Sequence, residues 1–386
     1  MNQMNWTPPG SPPLPSPPAP PPMPVAFSGS RGEFFHLVKR GAGLEFVTLG
    51  FYRFWLTTDI RRHLWANTLV DGDAAEYTGR AKELLIGFLI ALAILVPIYL
   101  AYFLAGLEAE RFKAFASIPL VAFFYLFGQF AIYRARRYRL TRTVWRGVRF
   151  WMTGSGWIYA AQGALWGLLM VVTLGLVLPW RTAALERYKM RHTFYGDLQG
   201  SFEGRGREFF KRGWWLWLLA PIAIYVLPLA PFIYGAFKAV DWRWWLSGIR
   251  FGGVRLDSTL SRSDLIGLYW KVIGWIAVLG LVFSAYLALS AVLVASMSGE
   301  PFTAFFKSQE SLKSIPLLVL AGAGYLAFVL AINVVIRVYL MRDLWVRVLA
   351  SINVSGIEAA ANVSARGELA NALGEGFADG LDVAGF

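Results

Sequence analysis

Four long runs without a single charge constrain this chain more than any other feature. Leu84 to Leu107, Phe115 to Tyr133, Val272 to Ala295 and Ile315 to Ile336 are predominantly apolar. Each has roughly 19 to 24 residues, enough at 1.5 Å rise to cross a hydrocarbon layer of about 30 Å as a helix. In lipid no water satisfies the backbone, so such runs must be helical there. Hydrophobic residues make up 56% of the chain and charged ones 16%, more apolar surface than one water-soluble core can hide. The expectation is an integral membrane protein, its spans paired through the polar loops Glu108 to Lys113 and Ser296 to Lys313.

Three further runs, Phe34 to Trp55, Trp157 to Trp180 and Trp214 to Phe237, read differently. Arginines from Arg134 to Arg149 precede the second of them, and Arg187, Lys189, Arg191, Arg205 and Arg207 follow it. A single crossing would force one basic cluster outward, against the positive-inside bias. Short hairpins or re-entrant elements resolve the conflict. Their breaks are expected near Gly163 and Gly167 in one and near Pro228 and Pro231 in another. The formal charge of +13 sits mainly beside apolar runs, which favours anionic headgroups over nucleic acid as the partner.

The sequence also resembles itself at an offset of 125 residues. Val47-Thr48-Leu49-Gly50 recurs as Val172-Thr173-Leu174-Gly175, Trp55 as Trp180, and Gly79-Arg80 with Glu83 as Gly204-Arg205 with Glu208. Glycine-bounded, aromatic or β-branched segments such as Val148 to Thr153, Gly200 to Gly204 and Ile249 to Leu256 are strand candidates. The expected fold is therefore mainly α: a multi-pass membrane helical bundle with internal repeats and a small cytoplasmic β-sheet or barrel cap. Its expected divisions are a Pro-rich disordered leader (1–26), membrane repeats over 27–151 and 152–260, a partial third repeat over 261–356, and an acidic tail (357–386).

At Phe27-Ser-Gly-Ser, Val47-Thr-Leu-Gly-Phe-Tyr-Arg-Phe-Trp55, Tyr77-Thr-Gly79 and Trp145-Arg-Gly-Val-Arg-Phe150, the chain resembles the YjgN-like family of bacterial inner-membrane proteins, whose function is unknown. The resemblance covers about Phe27 to Ile357. It implies a multi-pass protein of the bacterial inner membrane, and supplies no reaction, substrate or catalytic residue. Basic segments and both termini are expected on the cytoplasmic side.

Enzyme chemistry finds little footing. There is no cysteine, and His36, His63 and His192 are scattered, so no metal, cofactor or catalytic site is expected. Ionisable or polar groups within or beside apolar runs are costly there and are candidates for a polar path: Glu45, Gln129 and Lys271. Glu33, Glu83 and Glu208, at the feet of apolar helices, are expected to complement helix N-termini. Arg134, Arg137, Arg142, Arg146, Arg337 and Arg342 are candidate contacts to anionic lipid. The functional expectation is a non-enzymatic protein forming a small-solute or ion path. The alternatives are a lipid-organising scaffold and a lipid-modifying enzyme. Membrane lipids are the expected partners, and a homo-oligomer is compatible with the sequence.

Overall fold

The computed structural model describes residues 23–108, 113–226, 229–298 and 314–380. The described chain opens on two short strands, β1 (Met23–Pro24) and β2 (Ala26–Phe27), and then alternates helix pairs with strand pairs. Helices α1 (Arg31–Val47) and α2 (Arg53–Ala66) precede β3 (Thr68–Val70) and β4 (Asp73–Tyr77). The longer α3 (Ala81–Glu108) and α4 (Lys113–Thr141) precede β5 (Thr143–Trp145) and β6 (Val148–Met152). The pair α5 (Gly156–Val172) and α6 (Leu178–Arg191) leads to β7 (Thr193–Tyr195) and β8 (Leu198–Phe202). Next come α7 (Gly206–Tyr225), α8 (Ala230–Gly248), β9 (Ile249–Phe251) and β10 (Val254–Ser258). The last pair is α9 (Arg262–Ser298) and α10 (Ile315–Ile336). A π-helical segment (Arg337–Asp343) and α11 (Leu344–Ala350) carry α10 on to β11 (Ile352–Ser355), and α12 (Leu373–Gly380) ends the described chain.

Local chemistry builds the strand pairs. Their central residues, Asp71-Gly72 and Arg146-Gly147, have φ of +52°, +81°, +48° and +73°, the left-handed geometry that tight hairpins require at both positions. Gly196 and Gly252 start the other two turns with φ of +53° and +55°. Between hairpins the register repeats. Phe27 pairs with Thr68, Tyr77 with Thr143, Met152 with Thr193, Phe202 with Ile249 and Ser258 with Ile352. At each junction the next amide, of Ser28, Thr78, Thr153, Glu203 or Thr259, donates to the carbonyl just before the partner at 2.8 to 3.0 Å.

The strands form one antiparallel sheet in the order β1-β11-β10-β9-β8-β7-β6-β5-β4-β3-β2. Its two ends are halves of one segment: β1 pairs with β11, β2 with β3, and Val25 between them donates to the Ile352 carbonyl at 3.1 Å. The order of pairing thus returns to the residues on which it began. The sheet curls around a shared core that takes Val25, Trp145, Tyr195, Val254, Ile352 and Val354 from strands all along it. This overturns the expected small β-sheet or barrel cap on a mainly helical bundle. The sheet links all five helix pairs, and the fold is only partly a helical bundle. Two- to five-residue strands carry too little pattern to announce pairing between partners so far apart in sequence.

Among the described residues, four helical stretches are long and apolar enough to cross a membrane: Ala81–Leu104, Ile118–Thr141, Arg262–Met297 and Ile315–Ala350. The three ambiguous runs are helical hairpins. The chain turns at residues 48–52 and 173–177 in the first two, so the break expected near Gly163 and Gly167 falls later. Both glycines lie inside α5, where a Cβ would come within 3.0 Å of the Gln129 side chain and 2.6 Å of the Tyr125 hydroxyl. They serve close packing on α4. Pro231 stands in the first turn of α8, while Pro228 lies outside the described residues.

The tail differs from a polar extension as far as Gly380. After Ile357 and Ala360 join the sheet core, an exposed stretch leads to α12, which lies between α3 and α4 with Phe377, Ala378 and Glu375 buried. Close backbone approach at Gly374, Gly376 and Gly87 lets it sit there. Of the leader expected over 1–26, residues 1–22 lie outside the described residues, as do most of both loops between the long apolar helices and residues 381–386, whereas residues 23–26 are ordered at the edge of the sheet.

A candidate site between the first hairpin and the last long apolar helix

A cavity of about 750 Å³ opens where α1, α2, α3, α10 and α12 meet. Ser30 caps α1 by accepting from the Glu33 amide at 3.1 Å. The helix then rises roughly 21 Å to Glu45. There the Glu45 carboxylate meets Arg337 in a two-pronged pair, Nη1 to Oε2 at 2.9 Å and Nη2 to Oε1 at 2.8 Å. This parallel geometry is the strong form of a carboxylate contact. Arg337 is the first residue of the π-helical segment, an irregularity found often at functional sites. Asn333 lines the same wall one turn earlier, its amide held by the Val329 carbonyl at 3.1 Å.

The floor of the cavity carries a second charge cluster. Arg61 of α2 donates to the Tyr77 hydroxyl at 3.1 Å and is ion-paired to Glu375 of α12. Arg139 of α4 stands 3.6 Å from the other oxygen of that carboxylate. Arg53, near the mouth, places its guanidinium 4.4 Å from the centre of the Phe88 ring. The lining therefore holds three arginines against two glutamates, with apolar walls between.

Of the three path candidates, only Glu45 lines this cavity. Gln129 is buried between α4 and α5 against Gly163, and Lys271 is exposed on α9. The structure does not bring them together. Sequence reasoning missed Arg61 and Glu375. The available signal was a lone charge among the buried residues of α2, Phe54, Leu56, Thr58, Ile60 and Leu64, but its partner lies in the segment read as an acidic tail.

The candidate lipid-contact arginines are mostly engaged by partners within the same chain. Arg142 pairs with Glu83 at 2.8 Å, and Arg146 with Asp71 at 2.7 Å and with Asp73. Arg337 is held by Glu45, Arg342 by Asp343 and the Gly29 carbonyl, and Arg134 by Asn371. Arg137 is half-buried. Hydrogen bonds donated by its guanidinium to the Asp73 and then the Asp71 carboxylate raise Arg146 above its usual pKa. Glu83 also accepts from the Tyr138 hydroxyl at 3.0 Å. Among the described residues no group of three acidic or histidine side chains could hold a metal ion.

A second, open pocket of about 920 Å³ lies beside β8 and the start of α7. Arg187, Arg205, Arg212 and Arg250 face Glu203 and Glu208 there, and Arg250 pairs with Glu203 at 3.1 Å.

Comparison with known proteins adds one finding. A family model described as a bacterial protein of unknown function, DUF898, matches residues 22–241, in accord with the YjgN-like resemblance. No curated protein and no solved structure matches the chain.

Proposed function

The chain belongs to DUF898, a family of bacterial proteins of unknown function, and we propose that it is a non-enzymatic multi-pass protein of the bacterial inner membrane whose cavity at Glu45 binds a small solute or ion on a path across the bilayer. The observation that carries the reading is the Glu45–Arg337 pair. It lies well along helices flanking an apolar region, and ionisable groups at such depth are retained for a binding or transfer role more often than for stability. Irregular helix at Arg337 supports it, as does α12, whose Glu375 lines the cavity. On this reading all hairpins leave and rejoin the sheet on the cytoplasmic side.

The test is solute and ion release from liposomes containing the purified full-length chain. Release above that of protein-free vesicles, reduced in the Glu45→Gln/Arg337→Gln double variant, is expected. Absence of release from both the full chain and one ending at Ala372 would sink the proposal. A lipid-organising role keeps one specific support, the open pocket with four arginines. It predicts that Arg205→Ala/Arg212→Ala weakens retention on acidic liposomes and makes it less salt-sensitive. Equal retention would remove that reading.

A further inference from the structure

Two of the short hairpins end in the same turn, and the chemistry of that turn points to what surrounds it. In α1–α2 the amides of Thr48, Leu49, Gly50, Phe51 and Arg53 donate to the carbonyls of Leu44, Phe46, Glu45, Thr48 and Gly50. The one amide left over, Tyr52, donates to the Thr48 hydroxyl at 3.0 Å, while that hydroxyl donates to Leu44 at 2.7 Å. The α5–α6 turn repeats this bond for bond. Thr173, Leu174, Gly175, Leu176 and Leu178 donate to backbone carbonyls, Val177 donates to the Thr173 hydroxyl, and that hydroxyl donates to Leu169 at 2.7 Å. Even the backbone strain is shared: φ is +51° and +90° at Leu49 and Gly50, and +50° and +85° at Leu174 and Gly175.

A turn in water has no need of this, because water satisfies its amides. A left-handed Leu, where Asn, Asp or Gly is the usual occupant, is also unusual in a solvated loop. Both make sense where an unsatisfied amide costs several kcal/mol and a polar side chain is excluded. The side chains agree. Val47, Leu49 and Phe51 are 76%, 86% and 57% exposed, and Val172 and Leu174 are 80% and 93% exposed. No charge occurs from Phe46 to Tyr52 or from Leu168 to Pro179.

The tips also stop part-way along their neighbours. Leu49 and Gly50 line the same cavity as Leu326 and Leu330 of α10, and Leu326 lies about 16 Å along the helix from the outer end of α10 at Ile315. The α5 residue Gly167 meets Tyr125, inside the apolar window of α4.

We infer that α1–α2 and α5–α6 are re-entrant wedges whose tips, Phe46–Tyr52 and Met170–Leu178, are seated among lipid acyl chains. They enter from the sheet side and turn back before the opposite surface. This rests on the membrane reading but not on the cavity having a ligand.

The natural absence of cysteine makes a direct test possible in the full-length chain. Val47→Cys and Val172→Cys probe the tips, with Leu281→Cys in mid-α9 as a spanning reference and Glu358→Cys as an aqueous one. After reconstitution, a membrane-impermeant maleimide should modify both tip sites about tenfold or more slowly than Glu358→Cys, since a thiol in apolar surroundings stays protonated. A bimane attached before reconstitution should be quenched by lipids brominated in mid-chain as strongly at the tips as at Leu281→Cys. Fast aqueous labelling of the tips from either side overturns the inference. So does a tip that is unreactive yet unquenched, which would mean that protein, such as a second copy of the chain, covers it. Aqueous labelling of Leu281→Cys as well would overturn the membrane reading itself.

Discussion

The hairpins α1–α2 and α5–α6 share a turn but bury different charges. Three residues before the turn, the first has Glu45 where the second has Met170. In the first, the carboxylate reaches Arg337 of the last helix pair and the walls stay apart around a cavity. In the second, α5 closes on α4 through Gly156, Gly163 and Gly167. A further position inverts its sign. Arg61 corresponds to Glu186, and both are buried. Glu186 finds Lys189 on its own helix and Arg136 on α4 at 3.6 Å. Arg61 has its partner in α12, a segment from the far end of the chain. One hairpin scaffold thus serves packing in one place and a polar chamber in another, and two substituted charges make the difference.

The most disruptive way to challenge this comparison is Glu45→Met, which gives the first hairpin the second's residue. It strands Arg337 in a nearly buried setting, and a loss of about 3 to 5 kcal/mol is expected. The double variant Glu45→Met/Arg337→Met should recover most of it, read by unfolding in detergent. No recovery would mean that the pair acts on more than its own charge balance.

Next in size, Glu375→Gln should cost roughly 2 to 3 kcal/mol by leaving Arg61 without its counter-charge. It should also free α12 for proteolysis. A tail that stays protease-resistant would show that the glycine contacts alone hold it.

The shared turn gives a smaller and symmetrical effect. Thr48→Val and Thr173→Val each remove one hydroxyl that accepts and donates, and each should lose about 1 to 2 kcal/mol. Markedly unequal losses would break the claim that the two tips occupy the same environment.

The smallest effect belongs to the strand turns. Arg146→Ala removes exposed pairs with Asp71 and Asp73, and a change of about 1 kcal/mol or less is expected. A larger loss, measured by the same unfolding, would mean that this turn locks the sheet.

Local pattern made much of the architecture legible. The apolar runs beginning at Leu84, Phe115, Val272 and Ile315 lie within α3, α4, α9 and α10 because a charge-free run of that length has one way to satisfy its backbone in lipid. The strand candidates Val148 to Thr153, Gly200 to Gly204 and Ile249 to Leu256 overlap β6, β8 and the β9–β10 pair, because aromatic and β-branched residues bounded by glycine suit a short strand. The site was far less legible. Glu45 stood out as an acid in an apolar run, but its partner lies 292 residues away, and Arg61 and Glu375 are separated by 314. Gln129 and Lys271 share the same kind of local environment in the sequence, yet one packs in a helix interface and the other faces outward.

The sequence by itself therefore determined which segments could enter a bilayer and which short stretches recur. Those outcomes depend on hydrophobicity, backbone freedom and hydrogen-bond satisfaction within a few residues. Only the tertiary structure decided that the strands join into one curled sheet pinned at both ends by Met23–Phe27, and which buried charges meet. Pairing between distant segments depends on contacts that no local window contains, and the placement of a buried charge is settled by whichever counter-charge the fold brings within reach.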